Sequence, residues 1–218
     1  GFTDTNVNNW NPWIISNVLT VAMLTETDMD TRRQVLEKSM HCVDFFVDTY
    51  APDGGCDEGP MYWERASATF YDVLEIIDDM VCEPLDLFKL PLVSNMMEYI
   101  RKMNIVGNAY AAFADCTHEM CKNGMAFVMR MGIRCENEQL YNFAYNKSKN
   151  LAPIRSHYSI YRELKDVCFI AEQDFSKDVV YNPEKMAVLP DLEVARLVNE
   201  SKQTAVIKGG NNAEEHNH

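Results

Sequence analysis

The chain has 218 residues, 47% hydrophobic and 24% charged, with 33 acidic against 20 basic side chains and a formal net charge of −13. That length buries the core of one globular domain, or of one domain and part of a second. So acidic a balance excludes general nucleic-acid binding and anionic membrane surfaces. The lack of any apolar run of about 18 residues excludes a membrane-spanning helix.

Asn6 to Asn11 is polar and irregular. Asn11 before Pro12 predicts a helix start, with Asn11 as N-cap and Pro12 at the first position. Asp30 is the expected cap of a second helix. Its apolar positions Val35, Leu36, Cys42, Val43, Phe46, Val47 and Tyr50 recur near i, i+3, i+4, i+7. Pro52, Gly54, Gly55, Gly59 and Pro60 then interrupt the pattern, and glycines that permit positive φ between two prolines predict a shaped loop. Pro60 is the expected first residue of a third helix running to about Met80, with Ala66, Phe70, Val73, Leu74 and Ile77 buried. Tyr62 and Trp63 fall in its first turn, at the rim of the loop. The same punctuation suits a plain helix–helix connection, in which Tyr62 and Trp63 only pack a helix start.

Glu83 to Pro91 reads as a connection, Leu92 to Met103 as a helix, and Asn104 to Asp115 is ambiguous. Three more helices are expected near Glu119–Met131, Glu136–Lys149 and Ser156–Ala171. Antiparallel helices with short links fit a bundle or an α/α toroid. After Asp174 the texture changes: Asn182-Pro183 and Pro190-Asp191 are turn signals, and Val194–Val198 and Thr204–Ile207 read as strands. The expected division is therefore a mainly helical part, 1–175, and the start of a β-domain, 176–218.

Seven cysteines are present, an odd number, with no Cys-x-x-Cys pair. That argues against a zinc ribbon or a thioredoxin-like motif. Free thiols suit a reducing compartment, so a cytoplasmic location is expected, with the periplasm or the exterior as the alternative.

Asp-Gly-Gly-Cys-Asp-Glu-Gly-Pro-Met-Tyr-Trp, Asp53 to Trp63, resembles the central signature of the heparinase II/III-like polysaccharide lyases. Asn8-Asn-Trp-Asn-Pro-Trp13 resembles the upstream active-site segment of that family. Gly209-Gly-Asn-Asn-Ala-Glu-Glu-His-Asn-His218 resembles the start of its histidine segment, and Phe113-Ala-Asp115 a segment near its active-site side. The resemblance implies part of an α/α toroid of antiparallel helix pairs, followed by the first strands of a β-sandwich, in an internal fragment of a longer protein.

The implied reaction is β-elimination on a uronic-acid-containing oligo- or polysaccharide. A base removes the C5 proton, and the bond to the 4-linked oxygen breaks. The C5 proton is poorly acidic beside a charged carboxylate, so the site must neutralise that carboxylate and stabilise the developing charge. By resemblance Tyr62 is the base and acid, Asn9 the neutraliser, and His216 the second neutraliser or acid. Asn8, Asn11, Trp63 and Glu58 would contact substrate, and His218 would hold a structural zinc. His-x-His on a strand places both rings on one face, which suits a metal. This chain has Asn8 and Asn211 where related sequences often have histidine, so two titratable groups are replaced by amides.

Each residue also has a plainer reading. Asn8, Asn9 and Asn11 serve as turn and cap residues, His216 and His218 as a polar tail, and Asp57 and Glu58 as loop fasteners. Two other functions fit the same architecture: a glycan-binding toroid without catalysis, or a glycoside hydrolase using two carboxylates. A homodimer is left open.

Overall fold

The computed structural model describes residues 7–83, 85–118, 125–149 and 159–210. The chain is mostly helical, with a small antiparallel sheet of three strands. The helices are α1 Trp10–Thr25, α2 Met29–Thr49, α3 Pro60–Trp63, α4 Ser67–Met80, α5 Pro91–Met103, α6 Ala126–Arg134, α7 Glu138–Ser148 and α8 Ile160–Ala171. A short hairpin, β1 Asn104–Val106 and β2 Ala109–Tyr110, follows α5. The sheet is β3 Met186–Leu189, β4 Val194–Val198 and β5 Thr204–Lys208, in that order.

Local chemistry sets the helix boundaries. α1 starts at Trp10, ahead of the expected Pro12 start, because the Asn8 side chain accepts a hydrogen bond from the Trp10 backbone N–H at 3.0 Å. Asn11 therefore lies inside the first turn. It is buried there, and its amide donates to the Cys42 carbonyl at 3.0 Å, tying α1 to α2. Asp28, not Asp30, caps α2, accepting from the Thr31 N–H at 2.8 Å. Asn137 and Ser159 cap α7 and α8 in the same way.

The third helix is broken. Pro60 opens it as expected, but α3 ends at Trp63 and α4 begins at Ser67, after Ala66 leaves helical geometry with φ −95° and ψ −91°. The break carries no glycine or proline to announce it. α4 is the central element. Its residues from Ser67 to Ile77 are all buried, including Phe70, Val73, Leu74 and Ile77, and Ala66 is buried at the break before it. It packs against α1 and α5, while α6 packs against α7 and α8.

Two of the buried positions of α4 are carboxylates, and they set the packing around it. Arg162 on α8 grips Asp72 with three hydrogen bonds of 2.8–3.1 Å, both side chains fully buried. Arg130 on α6 bridges Glu75 on α4 and Asp166 on α8, the latter at 2.9 and 3.0 Å. A buried charge survives only when paired and hydrogen-bonded, so these contacts fix how the helices meet. Burial pushes the Asp166 carboxyl up to about 6, more than the Arg130 and Arg162 guanidiniums beside it pull it back.

The sign of the resulting pH dependence is fixed. The folded state holds the Asp166 proton more tightly than the unfolded chain does, whose aspartates titrate near about 3.9. This group therefore costs stability as pH rises from about 4 through about 6, and the cost is complete above that. In urea titrations across that window, Asp166→Asn should flatten the fall in unfolding free energy. An unchanged slope would mean that Asp166 titrates normally.

The three-stranded sheet includes β3, a strand the sequence left unassigned, as well as the two that alternation suggested. Arg196 on β4 is buried and donates to the Lys102 carbonyl at 2.6 Å, and Arg101 on α5 reaches Glu184 at 2.9 Å. The sheet is thus fastened to the end of α5. No helix among the described residues is long and apolar enough to cross a membrane.

Candidate functional site

The loop between α2 and α3 is built by its glycines and one aspartate. Gly54 has φ +73°, and a Cβ there would lie 2.3 Å from the backbone of Asn95 and Met96. Gly59 has φ +90°, and its added Cβ would meet the Phe113 carbonyl oxygen at 2.8 Å. Only glycine meets both demands, positive φ and close approach. Gly55 differs from expectation, since it is needed not for its φ but because Leu192 closes to 2.8 Å of where a Cβ would stand. The segment from Phe113 to Cys116 lies directly against Gly59 and Met61, with the Met61 N–H 3.2 Å from the Cys116 sulfur.

Asp53 joins this loop to the sheet. Its carboxylate accepts hydrogen bonds from the N–H groups of Gly55, Asp191 and Leu192 at 2.8–3.0 Å. Asp191 returns the contact, accepting from the Asp53 N–H at 3.2 Å. The turn between β3 and β4 is therefore clasped to the central loop across 138 residues of sequence. Asp53→Ala leaves three backbone donors without their acceptor, and the clasp should open. Amide hydrogen exchange at Asp191 and Leu192 should accelerate by about 5- to 150-fold, by the loss of about 1–3 kcal/mol for such donors. Unchanged protection there would show that the clasp does not hold the turn.

Between loop, α1, α2 and the clasped turn lies a cavity of about 280 Å³. Asn8 and Asn9 line it from the start of α1, Asp57 and Glu58 from the loop, and Asp191 from the turn. The Asn9 amide donates to the Glu58 carboxylate, a contact between the first and central signature segments, 49 residues apart. One N–H of the Asn9 amide is thus engaged, and its second N–H and its carbonyl oxygen complete the capacity of that side chain.

Tyr50 and Cys56 also line the cavity, and both are protonated at neutral pH. Burial pushes the Tyr50 phenol and the Cys56 thiol well up, and the Tyr50 hydroxyl pairs with Ser67 Oγ at 2.9 Å. Burial thus favours the thiol over the thiolate at Cys56. The sequence marked Tyr50 only as part of the apolar stripe of α2, and Asp191 only as a turn residue. Neither local pattern signals a partner reached through the fold.

The remaining candidates divide. Tyr62 is half-buried and does not line the cavity; the Arg65 guanidinium sits 4.9 Å above its ring. Arg65 also lies 6.0 Å from the Trp13 ring, which stacks on Trp10 at 5.1 Å. Trp10, Trp13, Arg65 and Tyr62 therefore form one row. Trp63 is not at a rim. Its indole is fully buried, and its N–H donates to the Met96 carbonyl at 2.7 Å, so it is a core residue without access to a ligand. Asn11 is likewise buried, with its amide engaged by the Cys42 carbonyl. His216 and His218 lie outside the described residues. Among the described residues no three His, Cys, Asp or Glu side chains converge as a metal site.

No protein-family model matches the chain, and none of the curated proteins matches it significantly.

Proposed function

We propose that the chain carries the active site of a lyase that cleaves uronic-acid-containing glycans by β-elimination, on part of an α/α toroid with the first strands of a β-sandwich beside it. The observation behind this reading is the Asn9–Glu58 contact. It brings the segments Asn8–Trp13 and Asp53–Trp63, which resemble two lyase signatures, together at one cavity. In this reading Asn9, oriented by Glu58, presents its second N–H to the uronate carboxylate. Tyr62 stands outside the cavity lining, beside Arg65; in its phenolate form it takes the C5 proton of a sugar that extends past the cavity and returns it to the leaving oxygen. His216 completes the neutralisation, and His218 holds a structural zinc with ligands supplied elsewhere.

One observation favours a second reading. Asp57, Glu58 and Asp191 all line the cavity, and carboxylates repel a uronate but suit a glycoside hydrolase. Product mass separates the two. The natural full-length protein is incubated with a panel of uronic-acid and neutral oligosaccharides. Elimination splits the chain without adding water, so the fragments sum to the mass of the substrate; hydrolysis adds one water per cut. Fragments that carry added water would exclude the lyase, and binding without cleavage would favour a glycan-binding toroid.

A further inference from the structure

Trp10 is unusual in its placement. Its side chain is 54% exposed, although a large aromatic is normally driven into the core. It is nonetheless packed on one side. One face stacks on Trp13 at 5.1 Å and 29°, and Trp13 is backed by Arg65, which also covers Tyr62. Its backbone N–H is bonded to Asn8, which lines the cavity, as does its neighbour Asn9. An indole already packed on one side and more than half exposed loses less conformational freedom when a ligand lies on it than a free one would.

We propose that the open face of Trp10 is the platform of a sugar subsite beside the cavity, on which a pyranose ring of the bound glycan stacks. The proposal rests on the glycan reading above and extends it from the reacting sugar to a neighbouring one. The chemistry is that of an amphipathic ring. A pyranose presents C–H groups on one face and hydroxyls around its edge. The C–H groups, weakly positive, meet the negative face of the indole, and the hydroxyls stay in reach of water and of the Asn8 side chain. Arg65 contributes positive charge to the row while the adjoining cavity is lined by carboxylates. The positive charge that attracts an acidic sugar thus lies on the row, whereas the cavity carboxylates oppose it.

The test is calorimetric binding of uronic-acid and neutral oligosaccharides to wild-type protein, Trp10→Ala and Trp10→Phe. Trp10→Ala should weaken binding by roughly tenfold or more, and Trp10→Phe, which keeps a ring, by no more than about threefold. Should Trp10→Ala fail to fold, the indole N–H resonance of Trp10, assigned by its absence in Trp10→Phe, reads the same contact. It should shift on titration with the oligosaccharide that binds. Equal affinity of Trp10→Ala, an unmoved resonance, or no binding of any oligosaccharide by wild type overturns the proposal. Trp10-dependent binding of neutral sugars alone keeps the subsite and removes the uronic-acid lyase. Elimination with no dependence of binding on Trp10 does the reverse.

Discussion

Arg162→Met should destabilise the fold by about 3–5 kcal/mol, the cost of leaving a buried carboxylate without its partner. Against a total of about 5–15 kcal/mol for a typical domain, that is a large fraction. Asp72 sits in the middle of α4 with no exposure, and three hydrogen bonds from Arg162 hold its charge. Burial already raises the Asp72 carboxyl, and Arg162 pulls it back. Without the guanidinium the carboxyl rises further, so the variant should lose more stability at pH 8 than at pH 5. Adding Asp72→Leu should restore most of the loss, because replacing a whole buried pair by apolar groups is often neutral. Urea unfolding of the single and double variants checks both statements. A single variant as stable as wild type would mean that the pair does not hold α8 to α4.

Tyr62→Phe should lower turnover by about 10²–10⁴-fold, the range credited to general acid–base catalysis, with substrate affinity nearly kept. The substitution preserves the ring under Arg65 and removes only the phenol hydroxyl, the proton carrier of the lyase proposed above. A half-buried ring without its hydroxyl still packs, so thermal stability should change little. Steady-state kinetics with a stability control separates the chemical loss from a folding loss. Unchanged turnover would remove Tyr62 from the mechanism and leave Tyr50, the protonated phenol lining the cavity, as a candidate acid.

The helical stripes and the prolines were legible in the sequence because each is a local signal. Val73, Leu74 and Ile77 are buried where their spacing placed them, and Pro60 opens a helix. Other features were not legible, and each has a physical reason. The break at Ala66 has no glycine or proline, so nothing local marks it. The burial of Asp72 and Glu75 has no local signal, because their partners Arg162 and Arg130 lie far along the chain. Trp63 looked like a rim residue from its place after the loop. The side chain points the other way, toward Met96, because the indole N–H finds a carbonyl there and its ring area is removed from water. The site shows the same division. Asn9 and Glu58 were singled out from their motifs, whereas Asp191 entered only through its clasp with Asp53.

The central claim is that elimination occurs at the cavity where Asn9 meets Glu58. Its most direct test is the initial rate of unsaturated product, followed by ultraviolet absorbance, for the full-length protein and Asn9→Ala on uronic-acid oligosaccharides. The account predicts that wild type forms the product and that Asn9→Ala is slower by about 10²–10³-fold, the usual cost of one donor to a developing negative charge. Asn9→Ala forming unsaturated product at the wild-type rate would contradict it.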